Sequence, residues 1–293
     1  MYPSRFRYES PTTLGEAIGL LSTLEDAKVL AGGQSLIPMM KLRFASPAVL
    51  IDINNIPGLD YHRAEDDGTF RIGALCRHVD LERSTTLADH QPTIAAAAPL
   101  VADPIVRTRG TFVGSVCHAD PQGDWASVMV ALDGSIVAEG PGGRRTIPVK
   151  DFVAGPFQTV LAADEIAVEA VIPAAAGARA GGYLKLERRV GDFATAGVAV
   201  AVERSGPRVV SAGIGLTGVG AATIDAAEAA AALVGTDLDD DTIATAARLA
   251  SEVAQPRSDH RGSADYKRHV VGTFVKRILT GVRRTQAQTS EAA

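Results

Sequence analysis

The sequence predicts an α+β chain built from two unlike parts. The first is a two-lobed N-terminal region of mixed strands and helices; the second is a C-terminal domain in which an antiparallel sheet precedes a run of helices. Three observations carry this. The first 55 residues alternate helical and strand-like apolar patterns, the rhythm of a small β-α-β unit. The "PGG" at 141–143 sits between the strand-like "SIVAEG" and "RRTIPV", a hairpin signal. Residues 182–216 hold three strand patterns with turn signals between them, and three helical patterns follow over 223–279; strands first and helices afterwards is the α+β order.

The elements follow in turn. Thr13 and Glu16 form a T-x-x-E capping box, and Leu14, Ala17, Ile18, Leu21 and Leu24 recur at helical spacing behind it. "KVLAGG" (28–33) reads as a buried strand ended by glycines, "PMMKLRF" as a short helix and "AVLIDI" as a second strand. These make a first lobe over 1–55. A second lobe over 56–176 opens with the strand "TFRIGAL" and the helical "VDLERSTTLADH" and "TIAAAAPLVA". A glycine-bearing loop, "RTRGTFVGSVCHADPQGD", then leads to the helix "WASVMVALDG", the hairpin and the strand "EIAVEAVIP". "AAAGARAGG" (174–182) reads as a linker or turn. The C-terminal domain is expected over 177–285, and residues 286–293 as a disordered tail.

Composition narrows the function. The chain has 293 residues, 46% hydrophobic and 22% charged, with a net charge of −5. That is ordinary globular composition, and the scattered Lys and Arg give no clustered basic face for nucleic acid. No stretch of 18 apolar residues predicts a membrane span, and "MYPSRFRYESP" lacks the apolar core of a secretory signal; a cytoplasmic location is expected. Two cysteines, Cys76 and Cys117, cannot supply a four-thiolate cluster or zinc site. The six histidines show no H-E-x-x-H spacing, and Asp237–Asp241 lacks the spacing of a calcium loop. No metal site is expected in this chain.

Three glycine motifs invite a nucleotide. Gly213, Gly215 and Gly218 spell G-x-G-x-x-G, but they follow a strand of the antiparallel meander and no returning parallel strand comes after the next helix. They read as close-packing and turn glycines. The loop "LAGGQSL" (30–36) is different. Gly32 and Gly33 directly follow a strand and can present bare backbone N–H groups, a nest that suits an anion; Gln34 and Ser35 add neutral donors. With no acid, base or thiol in the loop, a diphosphate fits it, against the plain alternative of a strand-ending turn. In the second loop Gly114 and Ser115 offer another nest and Thr111 a hydroxyl. Asp120 and Asp124 are acceptors for ribityl or ribose hydroxyls, although Asp124 is equally placed to cap the helix that follows. His118 has no paired carboxylate pattern and reads as structural. Two phosphate-friendly loops in one region suit a long cofactor such as FAD.

"AGGQSLIPMMKLR" followed by "RTRGTFVGSVCHADPQGDW" resembles the FAD-binding medium subunit of molybdenum hydroxylases, the carbon monoxide dehydrogenase and xanthine dehydrogenase group. "YLKLERRVGDFATAGVAVAV", "GIGLTGVG" and "RGSADYKRHV" resemble that family's C-terminal domain. The resemblance implies a two-lobed FAD domain of the vanillyl-alcohol-oxidase (PCMH) type. It implies that Ala31, Gly32, Gly33, Gln34, Ser35 and Leu36 hold the FAD diphosphate from one side and Thr111, Phe112, Val113, Gly114 and Ser115 from the other. Asp124 takes the place of the family's cofactor-binding aspartate, and Lys28 and Val101 match positions near the FAD. Lys185 matches a lysine close to the flavin, and Phe193 lies on a turn that in relatives approaches the ring. One departure stands out: the family usually reads T-[IV]-G-G-[SN], and Val113 replaces a glycine. A β-branched residue is costly at positive φ, so either the chain is extended there or FAD binds less well; the extended form is the expectation.

The resemblance further implies an electron-transfer subunit with no acid–base catalytic residue of its own. Its partners would be an iron–sulfur small subunit and a molybdenum-cofactor large subunit. The alternatives are a free-standing FAD-dependent oxidase or dehydrogenase of the same fold, and a non-catalytic module that has lost FAD.

Overall fold

The computed structural model describes residues 2–291, with side-chain exposure as far as 285. The first lobe is β1 (Arg7–Glu9), α1 (Leu14–Thr23), β2 (Ala27–Leu30), α2 (Leu36–Lys41) and β3 (Val49–Asp52). Its three strands pair in parallel in the order β1-β3-β2. The capping box on α1 forms as expected: Glu16 N donates to Thr13 Oγ1 at 3.2 Å and Thr13 N to Glu16 Oε2 at 3.2 Å. Two of the four orphan donors at that helix end are thereby satisfied. Ala17, Ile18 and Leu21 face the core, where they meet Val49, Ile51 and Ile53.

The second lobe begins with β4 (His62–Ala64) and β5 (Phe70–Gly73). There follow the short helices α3 (His78–Glu82), α4 (Leu87–His90), α5 (Pro92–Ala97), α6 (Pro104–Arg107), α7 (Phe112–His118) and α8 (Asp124–Ala131). It closes with β6 (Ser135–Gly140), β7 (Gly143–Pro148), α9 (Val149–Phe152), β8 (Val153–Gly155), β9 (Gln158–Thr159) and β10 (Ile166–Ile172). Five of these strands form an antiparallel sheet in the order β4-β5-β10-β6-β7. All eight residues of α8 are buried, and its Trp125 packs on Phe112 with ring centroids 4.6 Å apart. Each such large apolar side chain removed from water contributes roughly 1.5–3 kcal/mol before entropy is counted.

The C-terminal domain is β11 (Ala178–Leu186), β12 (Ala196–Ser205), β13 (Arg208–Thr217), β14 (Ile224–Asp225), α10 (Ala227–Ala231), α11 (Asp240–Val253) and α12 (Ala264–Glu291). The strands run antiparallel in sequence order, as the meander reading expects. Period-two alternation sends the two faces of this sheet into different cores. Val198, Val200 and Val202 pack beneath α11 and α12, whereas Tyr183, Ala199 and Ala201 join the core of the second lobe. A Cβ on Gly213 would lie 2.1 Å from the Ala131 carbonyl oxygen, and one on Gly215 2.0 Å from that of Ser127. The first two glycines of the late triplet therefore seat α8 directly on β13.

Five expectations about the elements need correction. Residues 178–182 of the expected linker are the start of β11. Their glycines serve close approach, since a Cβ on Gly181 would meet Thr93 Oγ1 at 2.3 Å. The single helix expected over 79–90 breaks into α3 and α4. "TID" before α10 carries the short β14 rather than a helix start. The glycine-bearing loop contains a helix, α7. The expected tail includes residues 286–291 at the end of α12; residues 292 and 293 lie outside the described residues.

Candidate functional site

The two glycine loops meet. A Cβ added to Gly32 would lie 2.4 Å from the Arg109 carbonyl oxygen and 2.8 Å from Gly110 Cα, so only a glycine lets the first loop lie against the second. In the first loop Gly33 has φ +73°, and the chain turns from β2 into α2. The Ala31 and Gly33 carbonyls are used, accepting from Asn54 Nδ2 at 2.8 Å and Ile37 N at 3.1 Å. The N–H groups of Gly32, Gly33, Gln34, Ser35 and Leu36 have no acceptor among the described residues. Five successive donors at a half-buried surface are costly to leave unpaired. A row of bare amides of this kind fits the oxygens of a diphosphate.

The second loop is built differently. Thr111 is the N-cap of α7, its Oγ1 accepting from Gly114 N at 3.2 Å and its carbonyl from Ser115 N at 3.0 Å. The N–H groups of Thr111 and Val113 have no acceptor among the described residues. Val113 is neither extended nor at positive φ: it lies in the first turn of α7 with its side chain buried in the core. That overturns the extended conformation expected for it, and it explains why a β-branched residue is accommodated there. Behind the loop, His78 N donates to the Gly110 carbonyl at 3.0 Å and His78 Nδ1 accepts from Trp125 Nε1 at 3.0 Å. Burial, aided by the Arg107 and Arg77 cations, lowers the His78 pKa to about 3, so this ring is a neutral prop.

Of the remaining expected residues, Asp124, Lys185, Val101 and Phe193 gather in a second cluster, at the junction of the two domains. Asp124 is buried; Tyr183 OH donates to its Oδ1 at 2.6 Å and Lys185 Nζ to its Oδ2 at 3.3 Å. Burial raises the Asp124 pKa, against the lowering effects of Lys185 and Tyr183. The N-cap of α8 is Gly123, and Asp124 is the first residue inside the helix, so its side chain is not the cap. Lys185 is 1% exposed at its side chain. Its three N–H bonds are taken by Asp124, the Leu100 carbonyl and the Asp192 carbonyl, with Glu187 Oε2 also 3.3 Å away. The Leu100 contact places the buried Val101 beside this cluster. Phe193 is 47% exposed next to it, its carbonyl held by Arg261 at 2.7 Å.

Asp120 accepts from Gln122 N at 2.9 Å and lies 3.9 Å from His118 Nε2; burial lowers the His118 pKa. Lys28 is exposed on β2, two residues before the strand ends. A cavity of about 390 Å³ opens elsewhere, between the end of α8 and the C-terminal sheet, and no residue of either glycine loop lines it.

Sequence reasoning passed over Tyr183, Asn54 and Arg77. Tyr183 had a signal: it stands two residues before Lys185 on a strand, hence on the same face. Asn54 and Arg77 had none, since each works through contacts with loops distant in sequence.

Comparison with known proteins agrees with this geometry. Residues 4–175 match the family model described as "FAD binding domain in molybdopterin dehydrogenase", and residues 182–282 match "CO dehydrogenase flavoprotein C-terminal domain". The carbon monoxide dehydrogenase medium chain of Hydrogenophaga pseudoflava is 43% identical, over 95% of this chain and 97% of that one. The nicotine 6-hydroxylase medium subunit of Paenarthrobacter nicotinovorans is 37% identical, over 93% and 95%. Among solved structures, a chain of the Hydrogenophaga pseudoflava carbon monoxide dehydrogenase that lacks the Mo-pyranopterin moiety superposes with a TM-score of 0.91 at 44% identity, covering 98% of this chain and 99% of that one. Among the described residues no helix is long and apolar enough to cross a membrane, and no group of three or more His, Cys, Asp or Glu is arranged to hold a metal.

Proposed function

The chain belongs to the FAD-binding flavoprotein subunits of molybdenum hydroxylases, and on that premise we propose that it relays electrons from a partner's iron–sulfur clusters through FAD to an external acceptor. The complex would contain an iron–sulfur small subunit and a molybdenum-cofactor large subunit. When bound, FAD supplies the means to accept electrons singly and release them singly or in pairs.

This chain's own residues bind and orient. The amides of Gly32 to Leu36 take one side of the diphosphate, and those of Thr111 and Val113 the other, with no side chain between the loops at Gly32. Lys185 has spent its donors on Asp124 and two carbonyls and is balanced by Asp124 and Glu187, so it fixes Asp124 and the Asp192 turn that carries Phe193 rather than donating a hydrogen bond to the flavin. Phe193 offers an exposed ring at the domain junction for contact with the isoalloxazine. The substrate is selected on another chain, which fits relatives as different as a carbon monoxide dehydrogenase and a nicotine hydroxylase.

The observation that carries the proposal is the pair of touching loops, of which the first has five successive amides, and the second the Thr111 and Val113 amides, without acceptors among the described residues. The test is the assembled complex. It should hold one releasable FAD per copy of this chain, and its flavin should bleach on substrate addition only when the iron–sulfur subunit is present. The isolated chain should stay oxidised with the same substrate. Flavin reduction in the isolated chain would replace the relay with a free-standing oxidase.

A further inference from the structure

The two glycine loops do not hold each other in place through their own side chains. They are tied by a pair of residues outside both. Arg77 Nη1 donates to the Arg109 carbonyl of the second loop at 2.6 Å, and Arg77 Nη2 donates to Asn54 Oδ1. Asn54 Nδ2 then donates to the Ala31 carbonyl of the first loop at 2.8 Å. The direction of the Asn54 amide is fixed by its neighbours: a guanidinium only donates and a carbonyl only accepts, so oxygen must face Arg77 and nitrogen Ala31. Asn54 is anchored in turn, its N–H donating to Asp52 Oδ1 at 2.9 Å, and Arg77 by its N–H to Asp80 Oδ2 at 3.0 Å.

We infer that Arg77 and Asn54 form a clamp that sets the spacing of the two amide cradles, and that they are positioning residues for the diphosphate of the flavin nucleotide. The inference rests on the proposed FAD reading. Its geometric basis is that Gly32 leaves no room for slack: the loops are in contact at Gly32 and the Arg109 carbonyl, and the clamp bonds that same carbonyl and Ala31, the residue next to Gly32. Arg77 also forms no ion pair with a carboxylate among the described residues. Burial and the neighbouring Arg109 cation disfavour its charge, and only the pull of Asp60, Asp80 and Asp52, none of them bonded to its guanidinium, supports it. An anion seated between the loops relieves that imbalance.

The experiment uses the full chain freed of flavin, with FAD binding followed by quenching of flavin fluorescence. Inorganic pyrophosphate serves as a second probe that carries neither ring system. Arg77→Ala and Asn54→Ala should each weaken FAD by about tenfold or more. The double variant should fall well short of the product of the two, because the residues act as one unit. Pyrophosphate should raise the melting temperature of the wild-type apo-chain and lose that effect in the variants. Arg77→Lys keeps the charge but lacks the planar fork, so it should bind FAD no better than about threefold above Arg77→Ala. Wild-type affinity in Arg77→Lys, or in a folded double variant, would overturn the clamp. Failure of the wild-type chain to bind FAD would instead overturn the FAD reading itself. A general loss of folding in Arg77→Ala is separated by Asn54→Ala, which changes no charge, judged by circular dichroism of the apo-chain.

Discussion

The two glycine loops reach the same end by opposite routes. The first is shaped by what it lacks: no side chain at Gly32, a left-handed Gly33, and a row of five amides without acceptors. The second is shaped by what it has: a threonine cap, a helical turn and a valine buried in the core. A cradle made by absence tolerates almost no addition at its point of contact. A cradle made by a helix start spreads its strain over a flexible hydroxyl and a packed core.

The contrast can be broken or sharpened by substitution. The largest effect is expected from Gly32→Ala, whose methyl would collide with main-chain atoms of the second loop that cannot rotate away. FAD affinity should fall at least about a hundredfold, and stability by about 3 kcal/mol. Titration with FAD and a urea melt report both, and near-normal binding would show that the loops are not in contact. Next is an acid sensitivity tied to the second loop. The His78 pKa is lowered to about 3 from an ordinary value near 6.5, so the buried neutral ring stabilises the fold above about pH 6.5. That contribution is lost as pH falls from there towards 3, by on the order of a few kcal/mol in total. Urea midpoints measured across that window should decline less steeply in His78→Gln than in the wild type; parallel profiles would remove His78 from the acid response.

Val113→Gly, which restores the residue usual in the family, should cost about 2 kcal/mol from the emptied core and the freer backbone. FAD affinity should stay within about threefold, because the amide keeps its place. Tighter binding would mean that the valine does obstruct the cofactor. In Gly114→Ala the methyl meets Thr111 Oγ1 at 2.5 Å, a hydroxyl that can turn aside at the expense of the cap, so thermal melts should show a loss of about 1 kcal/mol. Smallest of all, Gln34→Ala removes an exposed side chain whose one bond, to the Gly32 carbonyl, is 3.4 Å long. Less than about 0.5 kcal/mol should follow, and a marked loss of FAD affinity would give that side chain a direct role.

Much of this was legible in the sequence wherever local chemistry decides structure. The Thr13–Glu16 box, the "GGQS" turn, the hairpin at 141–143 and the three-strand meander each depend on neighbours within a few residues. The signals failed where a contact distant in sequence took over. "TFVGSV" reads as a loop because of its glycine, yet Val113 and Phe112 are drawn into the core beside Trp125, and that burial fixes a helical turn. "ARAGG" reads as a linker, but its Gly181 is the condition for α5 to lie on β11. For the site, the two loops could be named from their residues and their partnership from family likeness; that they touch, and that Arg77 and Asn54 join them, is a property of the folded chain alone. Lys185 and Asp124 were singled out separately, and their mutual pairing in a buried cluster emerges only when β11 is laid against α8.

The seating of α8 on Gly213 and Gly215 bears on how this kind of protein can be rebuilt. The border between the two family regions falls after residue 175, but the helix that starts at Asp124 is walled on one side by the strands beyond it. A fragment cut there would bare that helix and strip Asp124 of both its tyrosine and its lysine. Grafting the second half of a relative onto this first half will succeed only where the donor strand is equally bare at those two glycines.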